Sequence, residues 1–484
     1  MLAFRLFPFI FCLLISPQLL SDCTSLAINK SSIEKLANFS INTSVLVMDD
    51  ELKKSVYESI IEFKLSTIQL SNQEANPEML SEWYQNIHHL KKIAFESIRK
   101  KMNIQDENKF ERISSLLVDG FVDYWVTRAY STVKHEAGHG TFMLSQGYDG
   151  VEYGHDASID GQKLTIGELF SKLIIRPNSA YAISVGHRDP KFASRLESEA
   201  EIFGAGLNEE TKEAERISKE AMDSGKFNVL DALSYNLFKR RLRSYSGLES
   251  SDPVYEIGDP LSYAKELKLQ GMVPEDRTAE SIVTEIHQLS VLTSLLSGGT
   301  WNSAKSVINF VNKGEINSDT IKLKFKDGTS VDLPEFSTYL NGSNVSVSSQ
   351  LHINLPAKKE EIIKSIDVRL EKSVIGGGPV SLQSPDQAAE KKDIAEFSVR
   401  TNFESDSKKI KSYLEMTANN FNGYGINAGV TWLLSSDTKN PDGGWFVSMD
   451  VSKTKKTMKG SRENCRSGEF EGCETLYFGL GYRQ

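Results

Sequence analysis

The spacing of apolar residues divides the chain into two parts that meet near residue 315. In the first part, apolar residues recur three and four positions apart, as in KFERISSLLVDGFVDYWVTRAYSTVKHEAGH at 109–139. That spacing gathers apolar side chains on one face of a helix, so it predicts a mainly helical region over about residues 30–300. The apolar runs of this region stay below the roughly 18 residues that a membrane-spanning helix needs.

Beyond residue 315 the apolar residues alternate with polar ones. The segments NVSVSSQLHINL at 344–355 and GYGINAGVTWLL at 423–434 both show this period of two. Turn signals such as KDGT, LNGS and NPDGG separate the alternating runs. The second part is therefore predicted to form eight to ten antiparallel strands.

Two kinds of β-domain fit the alternation. A soluble sandwich would bury the apolar face and expose the polar one. A membrane β-barrel of 8–10 strands is favoured instead by polar faces rich in Gly, Ser, Thr and Asn, and by aromatic residues that end the apolar faces. These aromatic residues are Tyr424, Trp432, Trp445 and Tyr482. The last run, with Phe478 and Leu480 on one side, also resembles the closing strand of bacterial outer-membrane proteins.

The N-terminal stretch MLAFRLFPFIFCLLISPQLLSDC has the anatomy of a secretory signal peptide. One arginine precedes about ten apolar residues, and small and polar residues follow. Cleavage is predicted after Ser21 or Ala27, and lipid attachment at Cys23 is the alternative. We therefore expect an exported protein in which residues 1–22 are the signal peptide, 23–300 a helical domain, 301–318 a linker and 319–484 an antiparallel β-domain.

Charge and cysteine content narrow the class of partner and the compartment. With 56 basic and 65 acidic residues, the net charge of −9 argues against a nucleic-acid partner. Cys465 and Cys473 lie eight positions apart in CRSGEFEGC, which suits a disulfide in an oxidising compartment. No CxxC pair of the kind found in zinc ribbons occurs.

Candidate chemistry is concentrated in HEAGH at 135–139. In a helix, His135 and His139 project from the same face one turn apart, so both imidazoles can bind one zinc ion. Glu136 is then placed to act as the general base on a water molecule. An HExxH pattern alone also occurs in helices whose histidines only make structural hydrogen bonds.

A zinc site of this kind needs a third protein ligand, and a second acidic motif supplies a candidate. In FASRLESEAEIFGAGLNEE at 192–210, Glu197 and Glu201 are four positions apart and share a helix face, whereas Glu199 points away. An acidic, solvated helix face is the alternative interpretation of this stretch.

The combination of HEAGH with SRLESEAE resembles the HtpX and CAAX-prenyl-protease-like zinc peptidases, whose motifs are HExxH followed by ExxA[DE]. The resemblance covers roughly residues 125–215. It implies a zincin-like metallopeptidase domain with one Zn²⁺, bound by His135, His139 and Glu197. It also implies that Glu136 is the catalytic base and that Glu201 orients a ligand histidine, although the family usually has Asp at that position.

The sequence thus predicts a multidomain α plus β protein in which a helical zinc endopeptidase domain precedes an outer-membrane β-barrel. Its expected partners are a peptide or protein substrate and outer-membrane lipid, with the peptidase domain in the bacterial periplasm. Two alternatives remain open. One is a catalytically inactive outer-membrane assembly or transport protein, and the other is a secreted or periplasmic soluble metalloprotease with a β accessory domain.

Overall fold

The computed structural model describes eleven stretches of the chain and scattered helical positions between 80 and 95. The stretches are 109–155, 164–175 without 165, 180–188, 198–251, 258–356, 362–377, 393–405, 409–420, 423–433, 444–455 and 473–483. The predicted signal peptide, Glu197 and Cys465 lie outside them.

Helices dominate the described chain up to residue 313. They are α1 (Lys109–Ser145), α2 (Ile166–Ile175), α3 (Ser198–Ser224), α4 (Val229–Ser251), α5 (Asp259–Leu269), α6 (Ala279–Leu296) and α7 (Gly298–Lys313). Three strands interrupt them, namely β1 (Tyr148–His155), β2 (Ala180–Arg188) and β3 (Lys226–Asn228). Gly314 follows α7 in the left-handed conformation, and its N–H bonds to the Phe310 carbonyl, which ends that helix. Among the described helices, none is both long and apolar enough to cross a bilayer.

Strands occupy the chain after residue 316. They are β4 (Asn317–Asp319), β5 (Lys322–Lys324), β6 (Ser330–Asp332), β7 (Glu335–Leu340), β8 (Asn344–Asn354), β9 (Ile363–Gly376), β10 (Ala395–Glu404), β11 (Ile410–Asn419), β12 (Tyr424–Leu433), β13 (Gly444–Lys455) and β14 (Cys473–Arg483). Ten of them form one antiparallel sheet in the order β14-β13-β12-β11-β10-β9-β8-β6-β5, with β7 also paired to β8. Successive long strands are neighbours, as expected for a chain of hairpins.

The described chain divides into two compact units, and the boundary cuts α1 between Ala137 and Gly138. One unit holds the first part of α1 and the segment 152–182. In it, Tyr84 stacks on Tyr130 with ring centroids 3.9 Å apart, and the Lys134 ammonium donates to the Ser81 hydroxyl at 2.7 Å. The other unit holds residues 138–151 and 183–483, including the large sheet.

The large sheet has inverted polarity. Its exposed face is apolar and carries, among others, Leu370, Phe397, Leu414, Ile426, Trp432 and Val451. Its buried residues are largely polar, and these include Asp367, Glu371, Ser398, Glu415, Thr417 and Asn427. The strand register places exposed apolar residues opposite one another, as in the row Ile410, Trp432 and Val447. A water-soluble sandwich would bury these apolar residues.

Helix α3 packs against the sheet on its polar side. The Lys219 ammonium lies 2.8 Å from one carboxylate oxygen of Asp367, and the His352 Nδ1 atom lies 2.5 Å from the other. Burial alone would raise the pKa of Asp367, but the hydrogen bond from His352 and the charge of Lys219 bring that pKa well below its usual range. The ion pair between Lys219 and Asp367 therefore connects the polar face of the sheet to α3.

A second polar cluster joins the helices to the edge strand β7. The buried Glu335 carboxylate accepts hydrogen bonds from Lys239 Nζ at 2.7 Å, Tyr235 OH at 2.8 Å, Ser218 Oγ at 2.9 Å and the Gly299 N–H at 2.9 Å. Burial opposes ionisation of Glu335, but the Lys239 charge outweighs it and lowers the pKa of Glu335. An ionised carboxylate thus ties α3, α4 and α7 to the sheet.

The predicted mixed α plus β composition with an antiparallel sheet is confirmed. The change of period near residue 315 falls between the end of α7 and the start of β4. Two details differ from the expectation. Helix α7 occupies residues 298–313, which include most of the predicted linker, and strands β1 and β2 lie within the region predicted as helical.

Candidate metal centre

Helix α1 carries the whole HEAGH motif in its last three turns. His135, Glu136 and His139 are all buried. Because α1 is continuous through this segment, the two histidines stand one helical turn apart on one face, as predicted from their spacing. Buried polar side chains require partners, so the motif lies in an environment built for polar contacts.

The motif helix approaches α3 closely at Gly138. A Cβ atom at this position would lie 3.0 Å from the Ala205 carbonyl oxygen and 3.1 Å from the Gly206 Cα atom. One turn further along α1, Phe142 packs with Ile202 and Ala205 in a small apolar cluster. Small residues on both helices therefore bring the backbone of α3 next to the motif.

The close approach of α3 fixes the orientation of His139. Its Nδ1 atom lies 2.6 Å from the carbonyl oxygen of Ile202. A carbonyl oxygen only accepts hydrogen bonds, so Nδ1 carries the proton and Nε2 of the neutral ring carries the lone pair. A backbone carbonyl behind a ligand histidine is the arrangement that orients such rings in metal sites.

The Nε2 atom of His139 faces a carboxylate. It lies 3.4 Å from an Oδ atom of Asp259, which is partly buried at the start of α5. A lone pair and a carboxylate repel each other unless a proton or a metal cation lies between them. Two ligand atoms about 2.05 Å from a tetrahedral zinc are about 3.4 Å apart, so the observed spacing suits a shared metal ion.

The local sequence explains why Asp259 has this position. Pro260 stands in the first turn of α5, where its missing N–H costs nothing. Gly258 precedes the helix in an extended conformation, and a Cβ there would collide with Glu249. The Glu249 carboxyl accepts the Leu261 N–H at 2.7 Å. Burial raises the pKa of Glu249 to about 8. The hydrogen bond from Leu261 opposes this shift, and the negative charge of Asp259 adds to it.

The two glutamates at the start of α3, Glu199 and Glu201, form hydrogen bonds with different residues. Glu201 is buried and accepts a hydrogen bond from Gln146 Nε2 at 2.6 Å. Glu199 accepts from Arg188 Nη1 at 2.8 Å and from Tyr148 OH at 3.3 Å. These three hydrogen bonds hold the residue after α1, the start of β1 and the end of β2 against α3.

The structure places the predicted site residues as follows. His135, Glu136 and His139 are together on α1, and Glu201 is on α3 next to the carbonyl that contacts His139. Glu197 precedes the first described residue of α3. Cys465 is outside the described residues, and Cys473 is described only as the first backbone position of β14.

Asp259 is the site residue that sequence reasoning missed. In the described part of the chain, His135, His139 and Asp259 form a group of three possible metal ligands. Asp259 is 120 positions beyond His139, and no short motif connects the two. The GDP segment at 258–260 signals only the start of a helix.

Comparisons with known proteins add no relative. Neither a protein-family model, nor a curated protein, nor a solved structure matches this chain. The resemblance of the two motifs to zinc peptidases therefore rests on the residues alone.

Proposed function

We propose that the protein is a zinc-dependent endopeptidase whose catalytic motif is HEAGH at 135–139. The observation that carries this proposal is the orientation of His139, with Nδ1 on a backbone carbonyl and Nε2 facing a carboxylate at 3.4 Å. When the His139 ring is neutral, this arrangement directs a lone pair toward an anionic oxygen atom, and a divalent cation between the two satisfies both groups.

The donor set fits zinc. Two imidazoles from one helix and one carboxylate are a ligand set found in catalytic zinc sites, which keep a fourth position open. Asp259 and Glu197 are the two candidates for the carboxylate. Asp259 is supported by its distance from His139, and Glu197 by the motif resemblance.

Different residues of the chain have different roles in peptide hydrolysis. Zinc, when bound, supplies Lewis-acid polarisation of the scissile carbonyl. Glu136 takes a proton from the attacking water and delivers it to the leaving amine. The Ile202 carbonyl holds the His139 ring in one tautomer, and the contact of Gly138 with α3 keeps that carbonyl in place.

We further propose that the protein is exported and that its sheet forms a β-barrel in the bacterial outer membrane. The apolar face exposed by β9 to β13 supports this location, because lipid tails match such a face and water does not. The buried polar face, with the Lys219–Asp367 ion pair, supports it as well, since barrels of this class are polar inside.

Zinc content and proteolysis of casein test the catalytic part. Wild-type protein is expected to hold one zinc ion and to cleave casein, whereas Glu136→Gln retains the metal but loses cleavage. Comparing Asp259→Ala with Glu197→Ala identifies the third ligand, since only the true ligand variant loses zinc. Glu199→Ala is the matched control, because Glu199 bonds to Arg188 and Tyr148. Zinc binding without cleavage by the wild type would favour the inactive assembly or transport protein instead.

Membrane fractionation tests the location. The full-length protein is expected in the outer-membrane fraction, resistant to extraction by salt and alkali, with heat-modifiable mobility in gels. Recovery as a soluble monomer without detergent would favour the secreted or periplasmic metalloprotease.

A further inference from the structure

The inverted polarity of the sheet continues into the helical pair α6 and α7. In the last turns of α6, the buried positions are Ser290, Thr293 and Ser294, and the exposed ones are Leu292, Leu295 and Leu296. In α7 the buried positions include Asn302, Ser303 and Ser306, whereas Trp301 and Ile308 are exposed. Helices at a water-exposed surface have the opposite arrangement.

Charge is excluded from the same segment. Residues 286–304 contain no Asp, Glu, Lys or Arg, although one residue in four of the whole chain is charged. Leu295 is 56% exposed and Trp301 is 55% exposed. A surface of 19 uncharged residues with exposed leucines matches the hydrocarbon side of a membrane interface.

The buried hydroxyl groups of α6 donate hydrogen bonds to carbonyl groups of the same helix. Ser290 Oγ donates to the His287 carbonyl at 2.7 Å, Thr293 Oγ1 to the Leu289 carbonyl at 2.9 Å, and Ser294 Oγ to the Ser290 carbonyl at 2.7 Å. At the end of the helix, Trp301 Nε1 donates to the Leu295 carbonyl at 3.0 Å. In a low-dielectric environment, polar groups need hydrogen-bond partners within the protein, and these carbonyl groups are such partners.

Strand register shows which side of the sheet α6 covers. Phe336 of β7 is opposite Ser349, Ser349 is opposite Leu370, and Leu370 is opposite Phe397. Directly opposed residues share a face, so Phe336 belongs to the exposed apolar face of the sheet.

Thr338, two positions after Phe336, shares that face, and its Oγ1 lies 3.0 Å from Oγ1 of Thr293 on α6. Helix α6 therefore packs on the apolar side of the sheet, where the membrane would be.

We propose that the C-terminal half of α6 together with α7 is a second membrane-binding element, and that lipid acyl chains contact Leu292, Leu295, Leu296 and Trp301. This inference rests on the proposed membrane location of the sheet. The element lies along the interface and does not span the bilayer, because the outward face of α6 is polar in its first turns, at Thr284 and Gln288.

Quenching of tryptophan fluorescence by brominated lipid tests this element on the full-length protein. The chain has five tryptophans, so two variants are made that keep only Trp301 or only Trp432, with Phe at the other four positions. Each is reconstituted into vesicles of phosphatidylethanolamine and phosphatidylglycerol, with acyl chains brominated or not. Brominated chains are expected to quench both tryptophans.

The pattern of quenching separates this inference from the proposed location. Quenching of Trp432 without quenching of Trp301 overturns the second element and leaves the sheet in the membrane. Quenching of Trp301 alone supports the element and overturns the lipid contact of the sheet. If lipid quenches neither residue, both proposals fail. Protection of Trp301 from aqueous acrylamide as well as from lipid would show that protein covers it, which also overturns the inference.

A matched pair of substitutions controls for folding. Leu295→Asp places a charge on the proposed lipid contact, and Thr284→Asp places the same charge on the same helix face, three turns earlier. Loss of Trp301 quenching in Leu295→Asp but not in Thr284→Asp is the expected result. Equal quenching in both variants would contradict the assignment.

Discussion

An arginine in place of Val430 tests the environment of the exposed apolar face. Val430 is 40% exposed in β12, and its cross-strand partners are Ser412 on β11 and Met449 on β13. Val430→Arg brings a guanidinium onto this face. In lipid near mid-membrane that change costs roughly 2–4 kcal/mol. On a water-exposed face the same change is expected to stay within about 0.5 kcal/mol of zero.

The two environments therefore give forecasts that differ strongly. A cost of roughly 2–4 kcal/mol lowers the folding equilibrium constant by about 30- to 700-fold, since about 1.4 kcal/mol is tenfold. Asn427→Arg in the same strand points to the buried polar face and probes the opposite side. Urea-dependent folding into lipid vesicles, followed by tryptophan fluorescence, measures both variants against wild type. A Val430→Arg protein as stable as wild type in vesicles would refute the lipid contact.

Three further predictions concern stability, two from buried carboxyl groups of the structure and one from the cysteine spacing in the sequence. Glu335→Gln leaves the buried Lys239 ammonium without its anionic partner, and we expect a loss on the order of 3–5 kcal/mol in chemical denaturation; unchanged stability would contradict that pairing. Glu249 has a raised pKa of about 8 without bound metal, so the stability of the zinc-free wild-type protein should fall as pH rises from about 4.5 to 8, and Glu249→Gln should flatten that decline in thermal melts at each pH. Cys465 and Cys473 are expected to form a disulfide worth about 2–3 kcal/mol in exported protein, and two free thiols in non-reduced mass spectrometry would exclude it.

The position of the helix-to-strand change could be predicted because periodicity is a local property. Apolar spacing of three and four gives way to alternation near residue 315, and the described helices end at Lys313. Residues 298–313 lack the usual helical pattern. In the first turns of α7, Asn302, Ser303 and Ser306 are buried whereas Trp301 and Ile308 are exposed, so the usual helical signal is reversed there and the segment resembles a linker.

The candidate site was predictable only where its residues are close in sequence. His135, Glu136 and His139 belong to one helical turn, so their spacing alone places them together. Asp259 reaches His139 through the packing of α5, and the Ile202 carbonyl reaches it through the close contact of α1 with α3. Such tertiary contacts leave no periodic pattern in the sequence.

The central claim is that the histidine pair on α1 holds a catalytic zinc ion, and metal analysis of the purified full-length protein tests it most directly. Inductively coupled plasma mass spectrometry should find one zinc per wild-type chain, the same content in Glu136→Gln, and none in His139→Ala. The His139→Ala variant should keep the wild-type circular dichroism spectrum, which excludes unfolding as the cause of metal loss. A wild-type protein that takes up no zinc after incubation with the metal, or a His139→Ala variant that binds it equally well, would contradict the claim.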